Sequence, residues 1–392
     1  MNCHRVKADA TGKFTEAPTT ISETTVRGAW APRAFHQSWD GKSIVTHTFD
    51  GVRVTTPSGT NEYKIQLLHR NAWWSPDNKK FLLWLPAGIA LANVNELGPA
   101  GNAPKTTMVY RPAKDRYPFG VTWSPSGSDI YVSEHLDDAK TGGTAIKKIP
   151  VAGGTGTDIV THPVEILFYM LPESWYEDGS GPSSKKANIV FGAKDGLWMC
   201  DDSGGNKTKL AAFSPEGVGD VIWDPSQKEQ FLVLFRQPCA VPGPGNKIIK
   251  GLYLVHPEKK GDDVLEKVTD AMDLHTVYFS RKGKYVCWAT ADGIFYRETA
   301  KQENPKKIVI KEASGAIKGF NWDDKESKVA VAIDNKLFVY DLATTESTLV
   351  VKVDDKTFIA EPHWKNGEIV YSTFTNIAQK KKLELPKEPP KK

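Results

Sequence analysis

The chain has few cysteines, no long apolar run and no excess of charge of one sign. Its four cysteines are scattered and form no CxxC pair, so the sequence indicates neither a disulfide framework nor a cysteine-based metal site. No apolar stretch approaches the roughly 18 residues of a membrane-spanning helix, and the first residues, MNCHRVKADATGKF, lack the apolar core of a signal peptide. We therefore expect no membrane span. The compartment stays open, because a leader removed before numbering would leave the same sequence.

The charge balance also argues against one class of partner. The 51 basic and 47 acidic residues leave a net charge of +4, whereas a nucleic-acid binder usually carries a basic stripe or a much higher isoelectric point. We expect no nucleic-acid partner.

Catalytic signatures are absent as well. The sequence contains no GxSxG, HExxH or GxGxxG motif, and the tripeptide Gly41-Lys42-Ser43 has His36 where a phosphate-binding loop needs glycine. We expect no cofactor, and the absent motifs favour a non-catalytic protein without excluding an enzyme.

One pattern recurs along the chain: an anchor residue, usually aromatic, then a polar turn, then an alternating strand. Trp74 begins WSPDNKKFLLWL and Trp123 begins WSPSGSDIYVSE. Further anchors are Gln37, Trp223, Phe279, Trp322 and Trp364. The interval from Trp123 to Trp223 is about twice the others, which predicts a hidden repeat at Val164–Leu171 and Ala187–Ala193. A fixed period of this kind is typical of a repeat fold.

Each repeat continues with a second landmark. Asp50-Gly51, Asp195-Gly196, Asp292-Gly293 and Asp334-Asn335 each stand between two strand-like runs. Asp-Gly suits the two central positions of a tight hairpin, which need positive φ. A fourth strand follows, so every repeat holds four antiparallel strands. That arrangement is the signature of a β-propeller blade, and the near absence of period-3.6 patterning predicts almost no helix.

The last repeat stops after two strands, at His363–Phe374. The N-terminal HRVKADATGKFTEAPTT has the pattern of the third and fourth strands of the third repeat. We predict strands at Cys3–Ala8 and Lys13–Ile21, so that residues 3–21 and 361–374 share one blade, because an open ring would leave two unpaired sheet edges. The prediction is an all-β propeller of eight blades in one domain, residues 1–376, followed by a flexible Lys/Pro-rich tail, residues 377–392. The alternative is seven blades, if the hidden repeat is an insertion.

The aromatic-Ser-Pro-Asp-x-Lys landmark at Trp74, with its counterparts at Trp123 and Phe279, resembles the TolB-like or PD40 propeller repeat, a relative of WD40. The resemblance covers most of residues 34–374 and implies a fold rather than an activity. Blades of that family occur in periplasmic scaffold proteins, in gating domains of serine peptidases and in some lyases. By this analogy alone, the resemblance implies a location outside the cytoplasm.

The innermost strands of a propeller all begin at one face of the central channel, and function commonly lies there. We predict a channel-mouth rim rich in basic and imidazole groups that suits a small anionic ligand or an acidic peptide. The alternative is that these residues are polar only because they are solvated. The rim residues are Arg33, His36, His69, Arg70, Arg116, Tyr117, His162, His275, Lys318, Glu361 and His363.

Two features of the loops and histidines complete the prediction. Long loops at Glu134–Thr144, Pro172–Lys186 and Arg236–Lys250 are candidate partner contacts. Their contact residues are Glu134, His135, Asp137, Asp138, Trp175, Tyr176, Arg236 and Lys247. We expect no metal; the alternative is a three-imidazole site of His36, His275 and His363.

The favoured hypothesis is a non-catalytic scaffold that binds a protein partner, or a subunit of a larger assembly, through its loop face. The alternative is a lyase or hydrolase that acts on an anionic sugar or peptide at the channel mouth, with or without a His-bound metal.

Overall fold

The computed structural model of the chain is an eight-bladed β-propeller with thirty-two strands in its described residues. The structure describes residues 2–9, 13–23, 35–38, 40, 42–47, 51–124, 126–136, 143–162, 169–170, 188–193, 195–213, 218–226, 230–241, 247–311, 313 and 315–375. Helix in these ranges is limited to the short 3-10 turns Val94–Glu96 and Gly261–Val264. None of the described helical segments is long or apolar enough to span a bilayer.

Each blade is one antiparallel sheet, and in blades 1 to 7 its four strands follow one another in the chain. Blades 1 to 4 consist of β3 (Phe35–Gln37), β4 (Ile44–His47), β5 (Gly51–Thr56) and β6 (Gly59–Lys64); β7 (His69–Trp74), β8 (Lys80–Leu85), β9 (Gly88–Asn93) and β10 (Thr106–Tyr110); β11 (Arg116–Trp123), β12 (Asp129–Leu136), β13 (Gly143–Pro150) and β14 (Thr157–His162); and β15 (Tyr169–Met170), β16 (Asn188–Ala193), β17 (Gly196–Asp201) and β18 (Thr208–Ala211).

The remaining blades complete the ring. Blades 5 to 7 consist of β19 (Val218–Trp223), β20 (Phe231–Ala240), β21 (Ile248–Val255) and β22 (Leu265–Thr269); β23 (Thr276–Phe279), β24 (Tyr285–Thr290), β25 (Gly293–Glu298) and β26 (Lys306–Ile308); and β27 (Ile317–Trp322), β28 (Lys328–Ile333), β29 (Lys336–Asp341) and β30 (Ser347–Lys352). Blade 8 is made of β31 (Thr357–Lys365), β32 (Glu368–Thr375), β1 (Asn2–Lys7) and β2 (Thr19–Glu23).

Blade 8 joins the two ends of the chain. β1 pairs with β32 over its whole length, from Asn2 opposite Thr373 to Lys7 opposite Glu368, and β2 pairs with β1 on the outer side. The composite blade and the count of eight are confirmed, and the seven-bladed alternative is wrong because β15 to β18 form a complete sheet. Two strand starts differ from the prediction. β2 begins at Thr19 rather than Lys13, and β31 begins at Thr357 rather than Glu361.

The core is divided among the eight junctions between neighbouring blades. One cluster of buried apolar side chains lies at each junction. The second strand of a blade supplies two clusters at once: in β8, Phe81 packs toward blade 1 and Leu82 toward blade 3. Successive residues of a strand point to opposite faces, so a blade with apolar residues on both faces needs a neighbour on each side.

The anchors Trp74 and Trp123 lie at these junctions and donate hydrogen bonds across them. The Trp74 indole donates to the His36 carbonyl at 2.9 Å, and the Trp123 indole donates to the Trp73 carbonyl at 2.9 Å. Each acceptor is the residue just before the anchor of the preceding blade. Each of these buried indole N–H groups therefore has its hydrogen-bond acceptor on a neighbouring sheet.

The polar residue after five of the anchors closes the next turn. Ser75 is buried, and its Oγ accepts a hydrogen bond from the Lys80 backbone N–H at 2.9 Å. The same contact, with the donor five residues after the acceptor, recurs at Ser38, Ser124, Ser280 and Asp323. In the repeated Ser-Pro-Asp turn, a side-chain oxygen thus takes the place of a backbone carbonyl as hydrogen-bond acceptor.

The Asp-Gly landmarks mark hairpins, but the expected turn geometry is wrong. Thr290 pairs with Gly293, so the two loop residues are Ala291 and Asp292, and the glycine is already in β25. Gly196 occupies the same position in blade 4, where an added Cβ would lie 2.0 Å from the Ala211 carbonyl oxygen. Glycine is therefore required at Gly196 both by its φ of 143° and by the close approach of the outermost strand.

The indole bonds predict a difference between two tryptophan substitutions. Trp74→Phe leaves the half-buried His36 without the indole donor to its carbonyl, so we expect a loss of about 1–3 kcal/mol in the free energy of unfolding. Trp198→Phe is the matched control, because that indole donates at 2.9 Å to the exposed Asp195 side chain and we expect a loss below about 1 kcal/mol. Urea unfolding measures both losses. Equal losses would contradict a structural role for the bond between the blades.

Candidate functional site

The candidate site lies on the face of the ring where the innermost strands begin, here called the mouth face. In each blade this face also carries the turn between the second and third strands and the end of the fourth. Arg116 and Tyr117 begin β11, and His275 directly precedes β23. His363 lies late in β31 and Glu361 in its middle, since that strand starts earlier than predicted.

Some predicted residues cannot be placed in full. Arg33, Asp137, Asp138, Trp175, Tyr176 and the tail 377–392 lie outside the described residues. His69 and Arg70 belong to β7 and His162 ends β14, and only their backbone is described.

Four charged side chains of blade 3 form a network at the mouth face. Arg116 donates to Glu134 at 2.7 Å and to both carboxylate oxygens of Asp158 at 3.0 and 2.7 Å. Lys147 reaches Asp158 at 3.0 Å. Each of the four strands supplies one of these residues, so the network links the whole blade. Arg116 and Glu134 were predicted separately, as a rim residue and as a loop contact, and the fold brings them together.

Ladder register explains where this network lies. Val132 belongs to the apolar cluster between blades 2 and 3. Glu134 is two residues further along β12 and points to the same side, while Lys147 pairs with Val132 and Asp158 with Lys147. The network therefore caps the junction between blades 2 and 3 at its mouth end.

Glu134 is the most perturbed member of the network. The predicted solvated loop from Glu134 is wrong at this residue: β12 continues to Leu136, and Glu134 is 0% exposed. Burial raises the pKa of Glu134 to about 7, against an opposing effect of the Lys147 charge. Burial would also raise the pKa of Asp158, but its hydrogen bonds from Arg116 and Lys147 outweigh that effect and lower it. A neutral and a charged carboxyl can thus coexist beside one guanidinium.

The histidines of the alternative metal site point in different directions. His36 pairs with Val45, which packs toward blade 2, and its ring lies 5.3 Å from that of His47. His363 pairs with Val370, which packs from blade 8 toward blade 1. Because directly opposed residues share a face, the sheet of blade 1 separates the two rings. Within the described ranges, no group of three or more His, Cys, Asp or Glu side chains is placed to hold a metal ion.

The other placed rim residues make local contacts; His275 and Lys318 are exposed, and Glu361 is half-buried. The His275 backbone N–H donates to the Ala289 carbonyl at 2.9 Å. The Lys318 ammonium lies 5.5 Å from the centre of the Phe358 ring, which bridges blades 7 and 8. Glu361 adopts a φ of 50° within an irregular stretch of the β31–β32 ladder.

An aromatic group lies beside the charged network on blade 3. Tyr117 is 53% exposed and stands opposite His135 in the β11–β12 ladder. The His135 ring lies 4.4 Å from that of Phe119. Tyr117 and His135 point to the side of β11 and β12 away from Arg116 and Glu134, so apolar and charged groups occupy the two sides of one blade end.

Exposed apolar residues are concentrated on the mouth face, a feature that the sequence analysis missed. Six large apolar side chains are exposed among the described residues. They are Leu68, Tyr117, Ile248, Met272, Val309 and Leu349. Five lie at strand starts, in long hairpins or at links on the mouth face, and Leu349 lies alone within the outermost strand β30. The signal was present in the sequence, since Leu68 and Met272 each stand just before an innermost strand.

The predicted loop at Arg236–Lys250 is a hairpin over most of its length. β20 continues to Ala240 and β21 starts at Ile248. Cys239 pairs with Ile249, and both side chains are buried in the cluster between blades 4 and 5. Ile248, in contrast, is 63% exposed. The hairpin therefore has one anchored side and one open side.

Comparisons with known proteins identify the fold only. No protein-family model matches the sequence, and no curated protein matches it. An oligogalacturonate lyase from Vibrio parahaemolyticus is similar in structure, with a TM-score of 0.51, 11% identity and coverage of 76% of this chain and 84% of that chain. The dihydro-heme d1 dehydrogenase NirN, solved in complex with DHE, has a TM-score of 0.50, 14% identity and coverage of 90% and 73%.

A third similar structure is the Swd1 β-propeller domain of Myceliophteria thermophila, with a TM-score of 0.44, 12% identity and coverage of 82% of this chain and 96% of that chain. These neighbours are β-propellers with different functions. The chain is a β-propeller, and its likeness to TolB-like repeats remains a resemblance.

The burial of Glu134 predicts a pH dependence of stability. A folded-state pKa of about 7, above the ordinary 4.5, stabilises the fold at pH 4.5 and below, and this stability is lost as pH rises through 7. Glu134→Gln removes this ionisable group. Between pH 4.5 and pH 8 the free energy of unfolding should therefore fall by about 2–3 kcal/mol less in the variant than in the wild type. Urea titrations at both pH values measure the difference. Exposed Glu96→Gln should behave as the wild type, and identical losses in all three proteins would contradict the assignment.

Proposed function

We propose that this propeller is a non-catalytic scaffold that binds a protein partner through its mouth face. The proposal rests on one observation: five of the six exposed large apolar side chains in the described residues lie on that face. Apolar and aromatic anchors near the centre of an interface usually supply most of its binding free energy. The opposite face presents polar turns such as Ser75–Lys80, whose side chains are engaged in closing the turn.

Rigidity supports the same proposal. Tyr117 follows Arg116, whose guanidinium is held by the carboxyl groups of Glu134 and Asp158, so the Tyr117 backbone is fixed before a partner arrives. A preorganised surface spends less binding free energy on ordering its side chains and loops. The Lys/Pro-rich residues 377–392, which lie outside the described residues, serve in this proposal as a tether to the assembly.

The alternative, a lyase or hydrolase acting on an anionic sugar or peptide, needs a base and anion-binding groups that converge on one cavity. Its candidate histidines, His36 and His363, point to different sides of blade 1. The placed residues favour the scaffold, because an exposed apolar face suits a protein partner better than a polar sugar.

The proposal predicts that partner binding depends on the mouth face. The double substitution Tyr117→Ser and Met272→Ser removes two exposed apolar contacts, so we expect the affinity for the natural partner to fall at least about tenfold. Affinity capture from the source cells, mass spectrometry of the retained protein and titration of that protein measure the change.

Leu349→Ser is the matched control, because Leu349 is 43% exposed but lies in the outermost strand β30. It should capture the same protein with wild-type affinity, and all variants should keep the wild-type melting temperature. A partner lost equally in the control, or retained in full by the double variant, would contradict the proposal.

A further inference from the structure

The hairpin at the end of β20 and β21 forms an arm on the mouth face of blade 5. The arm comprises Arg236–Val241 and Lys247–Lys250. Its ladder continues beyond the body of the blade, with Ala240 opposite Ile248 and a hydrogen bond from the Val241 N–H to the Lys247 carbonyl at 2.8 Å. Among the described residues, β19 pairs with β20 as far as Phe235, and β22 pairs with β21 from Leu252.

The arm is held in place at its base. Gly251 has a φ of 81°, and an added Cβ there would lie 2.3 Å from the Thr269 carbonyl oxygen. The buried side chains of Cys239 and Ile249 attach the arm to the junction between blades 4 and 5. The bend and these contacts make the arm a fixed feature of the surface rather than a free loop.

The open side of the arm combines positive charge with an apolar side chain. Ile248 and Lys250 point to the open side, whereas Lys247 stands opposite Val241 and so lies at the edge of the anchored side. Arg236, Lys247, Ile248 and Lys250 are all exposed, and the arm contains no acidic residue. The carboxylate of the nearby Asp270 lies 3.9 Å from the Lys267 ammonium, which neutralises part of the Asp270 charge. A surface of this kind complements a chain segment that carries carboxylates beside an apolar side chain.

A second apolar side chain lies within reach of the same segment. The base of the arm contacts the link that leads to Met272, because an added Cβ on Gly251 would lie 2.7 Å from the Asp270 Cα. At about 3.3 Å per residue along a strand, Ile248 and Met272 are no more than about 20 Å apart. An extended segment of six or seven residues spans that distance.

We propose that the arm binds an acidic, extended segment of the partner, with an apolar side chain of that segment against Ile248, one carboxylate against Lys250 on the same side and a second carboxylate against Lys247 at the edge of the arm. This inference rests on the proposed function and names the chemistry of the partner. A polypeptide is the occupant rather than a nucleic acid, because the chain as a whole carries a net charge of only +4 and a nucleic-acid site needs an extended basic surface.

Fluorescence anisotropy with three labelled probes tests the inference on the full chain. The probes are a twelve-residue peptide of alternating glutamate and leucine, the same peptide with lysine for glutamate, and a twelve-nucleotide oligothymidine. We expect the acidic peptide to bind more tightly than the other two, and to weaken as salt is added. The double substitution Lys247→Glu and Lys250→Glu should weaken its binding at least about tenfold, and Ile248→Ser should weaken it by a smaller factor.

Lys259→Glu with Lys260→Glu is the matched control. These lysines are exposed between the third and fourth strands of the same blade, on the opposite face, and their reversal should leave binding unchanged. Tighter binding of the oligothymidine or of the basic peptide, no binding of the acidic peptide, or equal losses in the control would overturn the inference. If the arm variants still capture the partner and the variant at Tyr117 and Met272 does not, the scaffold function stands and only the role of the arm is refuted.

Discussion

The whole structure depends on sheets that must be covered on both faces. Phe81 and Leu82, adjacent in β8, are buried toward two different blades, and the second strands of other blades show the same continuous burial. A single blade would expose both of these apolar faces to water, at about 25 cal/mol for each Å² of apolar surface. Stacking the blades covers both faces of every sheet only if the stack closes into a ring, because the blade at an open end would still expose an apolar face.

Closure explains why the chain ends are interleaved. Blade 8 takes two strands from each end of the chain, so Val6 of β1 packs in the same cluster as Trp364 of β31. The backbone ladder between β1 and β32 then joins the first residues of the chain to the last strand without a covalent link. The mouth face is part of this closed ring, so side chains such as Tyr117 project from a backbone that is already rigid.

The fold could be predicted from the sequence because its information is local and repeated. Each anchor, turn and glycine occurs several times, so a weak match in one blade is supported by strong matches in others. The partial failure of the Asp-Gly rule has a physical cause: Gly196 is required by a neighbouring strand, a contact that spacing does not reveal. The site was less predictable, because Glu134 meets Arg116 only after strand pairing, and nothing in the local sequence distinguishes a buried carboxyl from a solvated one.

Removal and return of the N-terminal strands test the central claim most directly. Without residues 1–23, the two-stranded remainder of blade 8 leaves one apolar face and one sheet edge uncovered, so the account predicts a large loss of thermal stability. Adding a synthetic peptide of residues 1–23 should restore the melting temperature with one peptide bound to each chain. A truncated protein that melts at the wild-type temperature, or that ignores the peptide, would contradict closure by the chain ends.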